Sequence, residues 1–167
     1  MKRKICGALA FMLLLFSCLG ALAEDLQFDS SREVADYLEQ AGKKFAQKEG
    51  TSSYDILVMN YTPNNSTMLE RVSVTLNLFE TSAAIVGNSI PDIDTSDMLA
   101  LYQTLENMND SISFIRFVYD AANNCVYSRV DIPYVENASF GQMVERYAYI
   151  TALLVDQHYD ELAVLKK

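Results

Sequence analysis

The chain has 167 residues, with 22 acidic and 13 basic side chains and a formal charge of −9 at pH 7. A surface of that sign repels phosphate backbones, which argues against nucleic-acid binding and favours solubility and basic partners. Tryptophan is absent, histidine occurs once and cysteine three times, so metal and thiol chemistry have few residues to draw on.

Lys2, Arg3 and Lys4 form a basic start, Ile5 to Gly20 an apolar run, and Ala21-Leu22-Ala23 a small-residue cleavage site. That order predicts a signal peptide over residues 1–23, cut after Ala23, and export to the periplasm, cell envelope or exterior. The apolar run is shorter than the ~20 residues of a spanning helix, so no stable membrane span is expected. Cys18 offers the alternative of a lipid anchor, although Phe16 is larger than the residue a lipobox carries there. Residues 24–167 then form one domain, with three basic residues removed and a formal charge of about −12. Cys6 and Cys18 leave with the signal, and Cys125 alone forms no internal disulfide.

Ser30 and Glu33 fit a capping box. Val34, Leu38, Ala41 and Phe45 follow at helical spacing, predicting a helix over 31–48 that stops near Gly50. A strand over Tyr54 to Tyr61 and a turn at Thr62 to Ser66 follow. Val72, Val74, Leu76 and Leu78 then alternate with Ser73, Thr75 and Asn77, the clearest strand in the chain. Ala83 to Ile90 reads as a third strand, weakened at Gly87-Asn88. Met98, Leu101, Tyr102, Leu105 and Met108 predict a second helix that ends over Asn107 to Asp110.

Ile112 to Tyr119 and Cys125 to Ile132 read as a hairpin around Asp120 to Asn124, with Val118 opposite Val126 and Arg116 opposite Ser128. Both faces carry apolar side chains, so parity leaves the core face open. A last helix is predicted from Phe140 to about Leu165, with Ser139 as its N-cap. It carries two apolar stripes, Met143-Tyr147-Ile150-Leu154 and Val144-Ala148-Thr151-Val155. The order α-β-β-β-α-β-β-α predicts an α+β domain with helices on a mainly antiparallel sheet.

The segments RVSVTLNLF, LYQTLENMN running into SISFIRFVYD, VYSRVDIP and SFGQMVERYAYITALLVDQHYDEL resemble the YbjN-like family. That family is described as bacterial sensory transduction regulators. The resemblance spans roughly residues 24–167 and implies the fold of type III secretion chaperones. It supplies no catalytic residues. Many relatives are cytoplasmic, whereas this chain reads as exported, and a chaperone's activity does not follow from its fold.

The chemistry-bearing residues are sparse. Cys125 and His158 could in principle form a thiol–imidazole pair of an envelope hydrolase. However, Cys125 opens a strand rather than a helix, and nothing completes a triad or an oxyanion hole. His158 with Asp156 and Glu161 lacks the further ligand a metal site needs. Asp92, Asp94 and Asp97 begin like a calcium loop, but Asp97 and Gln103 stand where the loop needs Gly and Glu.

The expectation is therefore a non-enzymatic protein-binding domain, chaperone-like or regulatory, without cofactor or metal. One helix on a sheet needs an apolar arc of about 100°, so the second stripe of the last helix is spare. Val144, Ala148, Thr151 and Val155 are the candidate interface, for a protein partner or a homodimer.

Overall fold

In the computed structural model, which describes residues 26–135 and 139–167, three helices pack on one antiparallel sheet. The elements run α1 (Asp29–Gln40), β1 (Phe45–Thr51), β2 (Tyr54–Tyr61), β3 (Val72–Phe79), β4 (Ser82–Val86) and β5 (Ile90–Pro91). They continue with α2 (Met98–Asp110), β6 (Arg116–Asp120), β7 (Cys125–Pro133) and α3 (Phe140–Ala163). The α+β class and the helix-on-sheet packing are as expected. The expected signal peptide, its cleavage site and Cys18 lie outside the described residues. Among the described residues, no helix is long and apolar enough to cross a membrane.

The sheet runs β1-β2-β3-β4-β7-β5, with β6 on the other side of β7. Its centre is β3, where the alternation does what alternation should: Val72, Val74, Leu76 and Leu78 are all buried. α1 and α3 lie on that face. Val34, Ala35 and Leu38 of α1 and Phe140, Val144, Ala148 and Val155 of α3 close a large apolar core over β2, β3, β4 and β7. The two helices approach closely at Gly141, where an added Cβ would collide with Tyr37 Cβ. A second, smaller cluster joins Leu101, Leu105 and Met108 of α2 to Phe117, Val126 and Leu162.

The first helix is shorter than its periodicity implies. Gly42 stands at φ +67°. Its N–H donates to Glu39 O (2.9 Å) and that of Lys43 to Leu38 O (2.8 Å), the paired bonds of a Schellman stop. The chain then turns back, and Phe45–Thr51, including Gly50, pairs with β2 as an edge strand. Phe45 fits a helical stripe and a strand equally well, which is why spacing misassigns it.

The capping box is not formed either. Phe28 is the N-cap. Ser30 Oγ donates to Phe79 O (2.7 Å), while Glu33 Oε1 accepts from Phe140 N (3.0 Å) at the start of α3. A carboxylate thus meets the positive end of each helix. Asp55 Oδ2 accepts from Gln27 N (2.9 Å) and Phe28 N (3.3 Å) beside α1, Asp97 Oδ1 accepts from Ala100 N (3.0 Å) in α2, and Glu33 serves α3.

The β6–β7 hairpin is shifted by one residue from the expected register. Val118 pairs with Tyr127, and Phe117 pairs with Ser128. Phe117, Val126, Ser128, Val130 and Ile132 therefore face the helical layer and are buried. The strand is also shorter than Ile112 to Tyr119. Phe114 takes φ +76° and is 75 % exposed, and the chain joins the ladder only at Arg116.

Candidate docking face between α2 and β6

The expected interface stripe is core. Val144, Ala148 and Thr151 are fully buried and Val155 is 2 % exposed, covered by α1 and the sheet of the same chain. Small side chains on that stripe let α3 approach α1 and β3 closely. The bulkier Met143, Tyr147, Ile150 and Leu154 sit on its half-buried flank. Met143 and Tyr147 reach a groove of about 320 Å³ with Phe114 and Val135. The spare stripe is thus Met143-Tyr147-Ile150-Leu154, and the other belongs to the core.

Cys125 and His158 are not brought together. Side chains alternate along β7, so Cys125 points away from the face that carries Val126 and Ser128. His158 lies on the helical face, edge-on to Phe117 with ring centroids 5.7 Å apart, and its Nδ1 is 3.4 Å from Glu161 Oε2. Burial, with Asp120 nearby, pushes the Cys125 thiol up, the opposite of what a nucleophile needs. Two of the aspartates before α2 have local tasks. Asp97 caps the helix, and Asp94 Oδ1 accepts from Ser96 N (2.9 Å).

Two acidic residues beside His158 have a role that spacing does not reveal. Asp156 and Asp160, one turn apart on α3, hold the loop between β2 and β3. Asp156 accepts from Asn64 N (2.9 Å), Asn65 N (3.0 Å), Asn65 Nδ2 (2.8 Å) and Ser66 N (2.9 Å). Asp160 accepts from Ser66 Oγ, Thr67 N (2.8 Å) and Thr67 Oγ1 (2.8 Å). Burial pushes the Asp156 carboxyl up, and the loop N–H donors more than offset it, leaving the group below its ordinary value. The Ser66 hydroxyl and the Thr67 donors pull Asp160 down to about 2.

The surface that the fold leaves unfinished is elsewhere. A groove of about 620 Å³ runs between α2 and β6. Tyr102, Leu105 and Phe117 give it an apolar floor and wall, Val118 and Tyr119 a β-edge, and Glu106, Asp110 and Arg116 its charges. Tyr102 is 54 % exposed and stands edge-on to Tyr119 at 6.4 Å. Leu99, 68 % exposed, extends the same helix face three residues before Tyr102. Tyr119 is held in place by its hydroxyl, 3.0 Å from Asn124 Oδ1.

The edge of β6 is closed by a side chain. Asn109 Nδ2 donates to Phe117 O (2.9 Å), and Phe117 N donates to Asn109 Oδ1 (2.8 Å). One amide thus occupies both main-chain groups that a neighbouring strand would use at Phe117. Arg116 Nη1 donates to Asn109 O (2.9 Å) at the C-terminal end of α2. The sequence signal for this arrangement is faint: Tyr102 falls on the apolar stripe of α2 and reads as core.

Neither the protein-family models nor the curated proteins contain a match to this chain.

Proposed function

We propose that the chain is an exported, non-catalytic protein-binding domain, chaperone-like or regulatory, which engages its partner on the α2–β6 face. Membership of the YbjN-like family, and with it the secretion-chaperone form of the α+β fold, belongs to the same proposal and is supported by the order of helices and strands. The observation that carries the binding role is that Tyr102 and Val118, two exposed large apolar side chains, line one groove, with Leu99 exposed three residues before Tyr102 on the same helix. Exposed apolar residues scattered singly need no explanation, but a cluster rimmed by polar groups marks an interaction surface. Tyrosine suits such a surface, since it offers large area, a polar tip and few rotamers to lose.

The test is site-specific photo-cross-linking in the native envelope. A cross-linker at position 102 captures a discrete protein, one at the exposed position 39 of α1 does not, and Leu99→Asp abolishes the capture while the circular dichroism spectrum is retained. Equal capture from both positions, or capture indifferent to Leu99→Asp, removes the α2–β6 face as the binding surface. N-terminal sequencing of the mature protein tests export separately, with Glu24 as the expected first residue.

A further inference from the structure

We infer that the α2–β6 groove receives a basic segment of a partner protein, Lys- or Arg-rich with interspersed apolar residues, held through its side chains and not by strand pairing. The inference rests on the proposed binding role of this face and adds the chemistry of what binds there.

Charge decides the occupant. Glu106 and Asp110 line the groove, are exposed, and have no ion-pair partner among the described residues. Their position works against the helix that carries them. They stand four residues apart, where like charges repel, and Asp110 is the last residue of α2, where the helix dipole disfavours negative charge. Several carboxylates elsewhere do meet a helix start, a loop N–H or a cation: Glu33, Asp97, Asp156 and Glu145. α2 carries no basic residue to compensate. The lone basic group of the groove, Arg116, is turned onto the Asn109 carbonyl, where it answers the helix end and not the two carboxylates. A partner's Lys or Arg would supply the missing charge.

The apolar residues agree. Tyr102 and Tyr119 present aromatic surface beside the carboxylates, and an ammonium or guanidinium over such a ring gains further attraction. The methylene stems of Lys and Arg cover apolar floor of the kind Leu105 and Phe117 provide. Strand addition is disfavoured because Asn109 already holds both main-chain groups of Phe117. What remains open is the side-chain surface.

The experiment uses the folded protein and labelled peptides read by fluorescence anisotropy. The probes are a short peptide alternating Lys and Leu, its counterpart alternating Glu and Leu, and a Lys–Gly peptide. The Lys–Leu probe is expected to bind best, the Glu–Leu probe not at all. Binding should weaken between about 50 and about 300 mM salt as screening shortens the reach of the charges. Glu106→Lys with Asp110→Lys should lower affinity by about tenfold or more. Asp36→Lys with Glu39→Lys on α1, whose apolar residues belong to the other core cluster, should change it little.

Equal loss in both double variants would mean attraction to bulk negative charge, and overturns the inference. So does binding of the Glu–Leu probe, or failure of the Lys–Leu probe. The two readings separate at Tyr102→Ala. If that variant loses binding while the Glu106/Asp110 reversal keeps it, the groove stands as the docking face and the basic class falls. If neither variant changes binding, the groove is not the docking face and both fall.

Discussion

The two apolar clusters of this molecule are built to different standards. The large one, under α1 and α3, is closed between helices and sheet and opens at one flank, where Met143 and Tyr147 border the groove with Phe114 and Val135. Its helices start on carboxylates, its long β2–β3 loop is tied to Asp156 and Asp160, and its most prominent helix stripe is fully covered. The small one, around α2, has few buried residues, two uncompensated carboxylates and large apolar side chains left in water. The first arrangement maximises stability. The second forgoes some of it, as surfaces kept for a partner do. Particular acidic side chains differ in the same way: Glu33, Asp156 and Asp160 satisfy donors around the large cluster, whereas Glu106 and Asp110 have no ion-pair partner among the described residues.

The largest expected effect separates the two regions with the same new residue. Thr151→Arg places a guanidinium at a fully buried position between α3 and the sheet. An uncompensated buried charge costs ~3–5 kcal/mol, a large share of the ~5–15 kcal/mol that holds a domain of this size. The variant should lose its circular dichroism signal and its cooperative melt. Tyr102→Arg, on the exposed face of α2, should melt within a few degrees of the parent. A folded Thr151→Arg protein would return the Val144-Ala148-Thr151-Val155 stripe to the surface.

A smaller effect comes from acid and acts on the loop clamp. Asp156 and Asp160 both titrate below their ordinary values when folded, Asp160 at about 2. The folded state therefore binds fewer protons, and the clamp's contribution is fully present above the ordinary carboxylate range, about pH 4. It is lost as pH falls from there towards about 2. Protection of the Asn65, Ser66 and Thr67 amides, measured relative to their intrinsic exchange rates at each pH, should fall over that interval. In Asp156→Asn with Asp160→Asn the same amides should exchange faster at neutral pH and show no such acid step. Amides of α2 should be indifferent to both changes, since no clamp residue bonds to it.

Much of this architecture was legible in the sequence, and the exceptions have physical causes. β3, α2 and α3 are legible because each has one strong period and clear ends. β1 is not, because Phe45 satisfies both periods, and the deciding feature is the left-handed Gly42 three residues earlier. The hairpin register slipped by one because apolar residues lie on both faces of β6 and β7. Spacing does not single out the core stripe of α3 because size, not hydrophobicity, selects it: Ala148 and Thr151 allow close approach, and Met143 and Tyr147 do not. The α2–β6 face was not legible at all. Whether a carboxylate has a partner depends on what the fold brings to it, and Glu106 and Asp110 look in sequence like any solvated pair.

The smallest expected effect lies at Cys125, where β7 begins beside the small cluster. Its side chain is buried at 9 % exposure yet belongs to neither apolar cluster. Val126, its neighbour on the opposite face, is fully buried and packs with Phe117 and Leu105. Serine is nearly the same size as cysteine, so Cys125→Ser opens almost no cavity. The cost is that of burying a hydroxyl in place of a thiol, about 1 kcal/mol at a strand end next to a turn. The denaturant midpoint should shift slightly with the slope unchanged. Peptide binding at the α2–β6 groove should be unaffected, because Cys125 does not line it. A cost above ~2 kcal/mol would place the thiol in a packed interior and enlarge the small cluster beyond its present membership. Loss of peptide binding without loss of stability would tie the thiol to the docking face, and the line drawn here between the core-forming and the partner-facing regions would have to move across β7.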